Sequence, residues 1–141
     1  MPAKTHPAPA VVKPPESEKI TINMGFVDLG HVDLLVAEGF YSNRTDFIRT
    51  AIRTHLASHA DVLRQAVSRK MLVLGLQTFS AADLEAVRAA GETLQIRVLG
   101  LAVIAPDVSA ALATATIDSL TVLGALHASP AVKTALAGRI R

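Results

Sequence analysis

The second half of the sequence repeats itself, and this constrains the fold more than any other feature. Val-Leu-Gly triplets begin at Val73, Val98 and Val122, spaced 25 and 24 residues apart. A stretch with apolar residues at helical spacing follows each triplet, so the repeating unit is a strand, a turn and a helix. Repeats of this length stack as solenoids with parallel strands and right-handed connections. We therefore expect residues 70–141 to form a short solenoid of three β/α repeats.

The turns between these strands and helices also repeat. Ser80, Ala105 and Ser129 stand five residues after the three glycines, and two of them are good helix N-caps. Pro106 and Pro130 follow at a position where a helix accepts proline. The apolar residues twelve positions after the glycines are Val87, Leu112 and Leu136. The architecture is leucine-rich-repeat-like, although the asparagine ladder of that family is missing.

The third strand is predicted at Leu120–Leu123 and has no evident cover. Its neighbours carry no charge, and the 18 residues that remain are needed for the third helix. An uncovered strand edge invites pairing with another chain. The sequence therefore predicts an assembly edge at Leu120, Val122 and Leu123, through which the repeats associate or receive a protein partner.

The first half has a different chemistry. Residues 19–24 alternate between apolar and polar side chains, as in a strand with one buried face. The apolar face holds Ile20, Ile22 and Met24, and the polar face holds Lys19, Thr21 and Asn23. A lone strand leaves both edges unpaired, so a second copy of the chain is expected to supply the pairing.

Two helices are predicted after this strand. Apolar residues at helical spacing begin at Leu29, and Gly39 is suited to the end of that helix. Asn43 then stands three residues before Asp46, the spacing at which a cap and an acidic residue satisfy each other's backbone amides. The periodicity that follows predicts one long second helix to about Ser68.

This segment, EKITINMGFVDLGHVDLLVAEGFYSNRTDFIRTAIRTHL, resembles the ribbon-helix-helix family of transcriptional regulators, of the MetJ, Arc and CopG type. The resemblance covers Lys19 to about Leu56. It implies that residues 19–69 form a DNA-binding domain. Together with the repeats, this predicts a mixed α+β and α/β chain. The prolines of residues 1–18 predict a flexible arm there. Family members usually follow the strand with a polar helix start, whereas Gly25 and Phe26 stand here, so we expect the first helix to begin late or irregularly.

The resemblance also implies how double-stranded DNA would be bound. Two chains pair their strands into a ribbon that enters the major groove, so Lys19, Thr21 and Asn23 are the expected base contacts. The start of the second helix is expected to meet phosphate. The predicted phosphate contacts are Asn43, Arg44, Thr45 and Arg49, and the predicted dimer core is Ile20, Ile22, Met24, Phe47, Ile48 and Ile52. Arg49 and Arg53 share a helix face, where they either follow the phosphates or pair with Asp46.

Metal binding and catalysis are not expected. His55 and His59 share a helix face, but two ligands are too few for a metal site. The sequence has no cysteine and no recognisable catalytic constellation, so we expect neither a cofactor nor an enzyme. A net charge of +2 and a pI of about 9.3 are compatible with a nucleic-acid partner. A reducing, cytoplasmic location follows as the simplest expectation, with no membrane insertion.

Three functions remain open. The leading hypothesis is a sequence-specific transcriptional regulator that acts as a homodimer or a higher oligomer. The second is a self-assembling scaffold or filament protein that uses the ribbon-helix-helix module for dimerisation or for tethering to DNA. The third is the antitoxin of a toxin pair, which the apolar second half disfavours because antitoxin tails are usually polar and disordered alone.

Overall fold

The computed structural model describes residues 17–141, which form six α-helices and a three-stranded sheet. In chain order the elements are α1 (Phe26–Ala37), α2 (Arg44–Ser58), α3 (Ala60–Arg69), β1 (Val73–Phe79), α4 (Ala81–Ala89), β2 (Leu94–Ile104), α5 (Ala110–Thr116), β3 (Ile117–His127) and α6 (Pro130–Leu136). A short 3-10 helix follows at Ala137–Arg139. The predicted arm, residues 1–18, lies outside the described residues except for its last two. No helix in the described part of the chain is long and apolar enough to cross a membrane.

The contacts divide the chain into two compact units. The first, which we call the helical unit, is Lys19–Leu74. The second, the repeat unit, comprises Gly75–Arg141 together with Ser17 and Glu18. The mixed helix and sheet content agrees with the expected fold class.

In the helical unit, α1 begins earlier and more regularly than the sequence predicted. Gly25 is the N-cap with an extended backbone, and its carbonyl accepts a hydrogen bond from the Leu29 amide at 3.0 Å. Phe26 is 93% exposed, and Val27 is also exposed. Because this first turn buries no side chain, the apolar periodicity of the sequence does not reveal it.

The end of α1 confirms the role expected of Gly39. Its φ is +84°, in the left-handed region that favours glycine. The Gly39 amide donates to the Val36 carbonyl at 3.0 Å, and the Phe40 amide donates to the Leu35 carbonyl at 3.1 Å. These two bonds form a Schellman motif, which satisfies the last carbonyls of the helix.

The prediction of one long second helix is wrong. The chain forms α2 and α3 instead, and the break lies at His59, whose φ of −104° and ψ of 13° depart from helical values. Every side chain from residue 49 to residue 65 is exposed in the single chain. No packing against a core therefore holds the two helices in one line.

In the repeat unit, the sheet order is β1-β2-β3, and β2 pairs with β3 in parallel. The register aligns Val98 with Val122 and Gly100 with Gly124, as the repeat spacing requires. The helices that follow the strands complete one hydrophobic core. Its buried residues are Leu84, Ile96, Val98, Ala102, Ile104, Val108, Leu112, Ala113, Ile117, Leu120, Val132 and Leu136.

The helix caps follow the predicted turn chemistry at two of the three repeats. Ser80 forms a capping box with Asp83 at the start of α4, and Ser129 caps α6. Ala105 does not begin a helix. Its amide donates to the Phe79 carbonyl at 2.9 Å, and Ser109 caps α5 instead. The second repeat therefore inserts a short turn between its strand and its helix.

The expectation that nothing covers the last strand is wrong at Leu120. This residue is fully buried and belongs to the core. Its backbone forms a parallel bridge with Ile140, and the Arg141 amide donates to its carbonyl at 2.9 Å. Val122 is half-buried against the core, and of the three predicted edge residues only Leu123 has an exposed side chain.

Candidate nucleic-acid interface

The predicted ribbon segment has no strand partner among residues 17–141. Residues 18–25 form neither a helix nor a strand. Ile20 is 73% exposed and Ile22 is 58% exposed, while Met24 is half-buried. Because the apolar face is open to solvent, a single copy leaves this segment incomplete.

The polar face of the same segment is also accessible. Lys19, Thr21 and Asn23 are exposed, and none of them forms a side-chain hydrogen bond or an ion pair that involves the described residues. Their donors and acceptors are therefore available to a partner.

The start of α2 is built by reciprocal capping. The Asn43 Oδ1 accepts a hydrogen bond from the Asp46 amide at 2.8 Å, as the sequence predicted. The Asp46 Oδ2 accepts from the Ser42 amide at 2.9 Å and not from the Asn43 amide, so the return bond lies one residue earlier than expected. The amides of Arg44 and Thr45 have no acceptor among residues 17–141. Two donors at the positive end of the helix dipole therefore remain open.

The Arg44 side chain has a partner that the sequence did not reveal. Its Nε and Nη2 donate to the two carboxylate oxygens of Asp33 at 2.7 and 2.8 Å, which ties α2 to α1. The hydrogen bond from Arg44 lowers the pKa of Asp33, and the same bond raises the pKa of Arg44. No local spacing signals this pair, because the two residues are eleven positions apart on different helices.

Arg49 and Arg53 are the cations of α2 that remain available. Both are exposed, and neither forms a hydrogen bond or an ion pair within the described part of the chain. Asp46 accepts from the Ser42 amide instead of pairing with them. The alternative in which these arginines pair with Asp46 is therefore not found in the structure.

The predicted dimer-core residues of α2 lie at the border of a small core. Phe47 and Ile48 are half-buried, and the Phe47 ring meets Tyr41 edge to face at 5.0 Å. Ile52 is exposed. The large apolar side chains that the helical unit exposes before residue 64 are Ile20, Ile22, Phe26, Val27, Leu34, Phe40, Ile52, Leu56, Val62 and Leu63. Val32 is the one buried residue of this unit.

Two of the three histidines of the helical unit contact each other. The rings of His55 and His59 meet edge to face with centroids 5.0 Å apart. Residues 17–141 contain no group of three or more side chains that could hold a metal ion. The pair therefore acts as a ring contact at the break between α2 and α3.

The repeat unit contains one further concave feature, a groove of about 330 Å³ over the middle of the sheet. It is lined by Ser17, Glu18, Gly75, Gly100, Leu101, Gly124, Ala125 and His127. Its ionisable residues are Glu18 and His127. Gly100 and Gly124 leave room for neighbouring carbonyl oxygens, so the groove alone assigns no ligand.

The comparisons with known proteins agree with the resemblance in the first half and extend it. The family described as the ribbon-helix-helix transcriptional regulator family matches residues 15–133, which includes most of the repeat unit. No curated protein and no solved structure matches the chain. Since the match covers well over half of the sequence, the chain belongs to the ribbon-helix-helix transcriptional regulator family.

Proposed function

We propose that this protein is a homodimeric, sequence-specific DNA-binding regulator that reads the major groove with a ribbon made of two copies of residues 19–24. The observation that carries the proposal is the unpaired, alternating segment, whose apolar side chains are exposed in the single chain. Pairing with a second copy would bury Ile20 and Ile22 and satisfy the backbone. The family match supplies the class of function.

The dimer would present the polar face of the ribbon to base edges. Lysine can donate to guanine O6 and N7, asparagine can form two bonds with adenine, and threonine can contact several bases. Lys19, Thr21 and Asn23 carry these groups in alternation, so all three share one face of an extended segment. This face meets the groove while the opposite face packs between the two chains.

Phosphate contacts would come from the start of α2 and from Arg49, one of the two available arginines of this helix. The open amides of Arg44 and Thr45 can donate to a phosphate oxygen, and the helix dipole favours an anion there. Asn43 helps by fixing this helix end with its cap. The Arg44 guanidinium is engaged by Asp33, so we assign the side-chain contact to Arg49, with Thr45 beside it.

The test begins with selection of binding sites from random duplex DNA, using the full-length protein at physiological salt. Thr21→Ala and Asn23→Ala should each reduce discrimination against the wrong base by about 1 to 3 kcal/mol. Arg49→Ala should weaken binding to all sequences alike and reduce the salt slope by about one ion.

Arg88→Ala provides a matched control. This arginine lies in α4 of the repeat unit, whereas the proposed contacts are all in the helical unit, and it pairs with Glu85 at 2.6 Å. It should change neither the selected sequence nor the salt slope. The proposal fails if selection returns no preferred sequence, or if both ribbon variants keep the selected preference unchanged.

A scaffold that merely tethers to DNA is the second candidate, and the exposed edge of β3 at Leu123 favours it. Such a protein would bind through phosphate contacts alone, so its affinity would fall steeply with salt on every sequence. A preferred sequence that persists at physiological salt distinguishes the regulator from the scaffold.

A further inference from the structure

A row of glycines crosses the sheet of the repeat unit. Gly75, Gly100 and Gly124 occupy β1, β2 and β3, and their φ angles are +107°, +140° and +122°. L-residues with a side chain rarely adopt this conformation. The row is therefore a shared backbone feature of all three repeats.

Each glycine in the row makes room for the carbonyl of the strand before it. A Cβ on Gly100 would overlap the carbonyl oxygen of Gly75, and a Cβ on Gly124 would overlap the carbonyl oxygen of Gly100. The missing side chain is thus a requirement of strand packing at these two positions. The contact repeats in one direction across the sheet.

Gly75 has the same conformation without the same contact. A Cβ on Gly75 would meet no atom within 4 Å, although its backbone is arranged like that of the other two glycines. No strand within residues 17–141 pairs with the outer edge of β1. The first glycine of the row therefore leaves open a space that a carbonyl oxygen fills in the other two strands.

The opposite edge of the sheet, along β3, is covered over only part of its length. Ile140 bridges Leu120, and the Arg139 guanidinium donates to the Ile117 carbonyl at 2.6 Å. Beyond Leu120, no strand in the described part of the chain pairs with the outer edge of β3, the edge opposite β2, from Thr121 to His127.

The free part of β3 and β1 each span seven residues. β1 starts two residues before Gly75, just as Val122 stands two residues before Gly124. If the glycines are aligned, Leu120, which the C-terminal residues cover, lies before the first position that β1 can pair. Neither β1 nor residues 121–127 contain an Asp, Glu, Lys or Arg, the residues that usually protect a strand edge from pairing.

We propose that the free edge of β3 pairs in parallel with the β1 edge of a second copy, placing the Gly124 carbonyl in the open space beside Gly75. The register continues that of the repeats, so Leu123 lies beside Leu74 of the other copy. These side chains are 48% and 66% exposed in the single chain. The edge of β3 and the edge of β1 are different surfaces, and each copy has one of each. Pairing through them therefore builds rings or open chains of copies. This assembly is separate from the proposed DNA-binding ribbon.

The first test is the assembly state of the full-length protein, measured by sedimentation at tens of micromolar. We expect species larger than a dimer, in a distribution that shifts with concentration. Gly75→Ala should remove these larger species, since the added Cβ occupies the space required by the carbonyl.

Gly91→Ala is the matched control. Gly91 also lies in the repeat unit, has a positive φ of +68° and has no atom within 4 Å of an added Cβ. The variant also places a side chain at a positive φ, without touching the edge, so it should assemble like the unmodified protein. If Gly75→Ala also assembles like the unmodified protein, or if the unmodified protein remains a dimer, the proposal is overturned.

A charge pair tests the register. Leu123→Lys and Leu74→Glu should each abolish the larger species when present alone, because a charge then faces an apolar neighbour. A mixture of the two variants should restore them, since lysine on one copy meets glutamate on the next. A mixture that stays dissociated contradicts the proposed pairing.

Discussion

The helical unit and the repeat unit have different relations to their own cores. The repeat unit buries twelve apolar residues within a single chain. The helical unit buries only Val32 and leaves ten large apolar side chains exposed before residue 64. Burial of apolar surface is the main force that favours folding. The repeat unit thus completes its core in one copy, whereas the helical unit leaves an apolar surface that a second copy can cover.

The largest effect that tests this contrast is expected from Leu84→Ala. Leu84 is fully buried in α4, and removing a buried leucine side chain costs about 2 to 5 kcal/mol. The loss should be confined to the repeat unit and should be the same at every protein concentration. Hydrogen exchange measured by mass spectrometry over a concentration series would report both units separately.

Leu34→Ala supplies the comparison in the helical unit. Leu34 is exposed in the single chain, so its replacement should matter only where a second copy covers it. The reduction in protection of α1 and α2 should therefore be larger at concentrations where copies associate. A loss of protection that is independent of protein concentration would contradict the proposed difference between the units.

A smaller effect on stability is expected at two glycines, one inside α1 and one just after its end. Gly39→Ala places a side chain at φ +84° with no atom nearby, so the cost is conformational and about 1 kcal/mol. Gly30→Ala is the matched control, because Gly30 lies inside α1 and an added Cβ there also meets nothing. This control should stabilise the helix by about 0.5 to 1 kcal/mol. Thermal unfolding followed by circular dichroism would show the opposite signs.

The smallest effects concern two exposed carboxylates, one in each unit. Hydrogen bonding to Arg44 lowers the pKa of Asp33, and hydrogen bonds from Ser80, the backbone bond first, lower the pKa of Asp83. A carboxyl with a lowered pKa in the folded chain adds stability above its unfolded pKa, near 4, and this contribution disappears as the pH falls further.

Substitution of either carboxylate should therefore change the acid dependence of stability only in the unit that contains it. Asp33→Asn should flatten the acid dependence of the helical unit below about pH 4, and Asp83→Asn should do so for the repeat unit. Unfolding curves recorded between neutral and acidic pH provide the measurement. An equal change in both units from either variant would contradict the division of the chain.

The sequence predicted those features that depend on local chemistry. The Val-Leu-Gly spacing predicts the register of β2 and β3, and the turn residues Gly39, Asn43 and Ser80 occupy the positions that the sequence predicts. Each of these depends on neighbours a few residues away. A pattern in one sequence is sufficient to detect them.

The features that the sequence did not predict depend on distant contacts or on missing ones. The Arg44–Asp33 pair joins two helices, and the cover over Leu120 comes from the Ile140 region. The break at His59 lies in a stretch where every side chain is exposed. The apolar periodicity of the sequence continues across this stretch, but no core holds the two helices as one straight helix. The ribbon remains a prediction because it requires a second chain.

Disulfide cross-linking through residues 19–24 tests most directly whether a second copy completes the helical unit. The sequence contains no cysteine, so single cysteines can be placed in turn at Lys19, Ile20, Thr21, Ile22 and Asn23. Thr134→Cys in α6, which is also exposed, gives the background rate. Two strands that pair antiparallel around a two-fold axis bring one position opposite itself, at about 4.5 to 5.5 Å between Cβ atoms. We predict a sharp maximum of cross-linking at one position in this segment, and uniform cross-linking at the background rate would contradict the account.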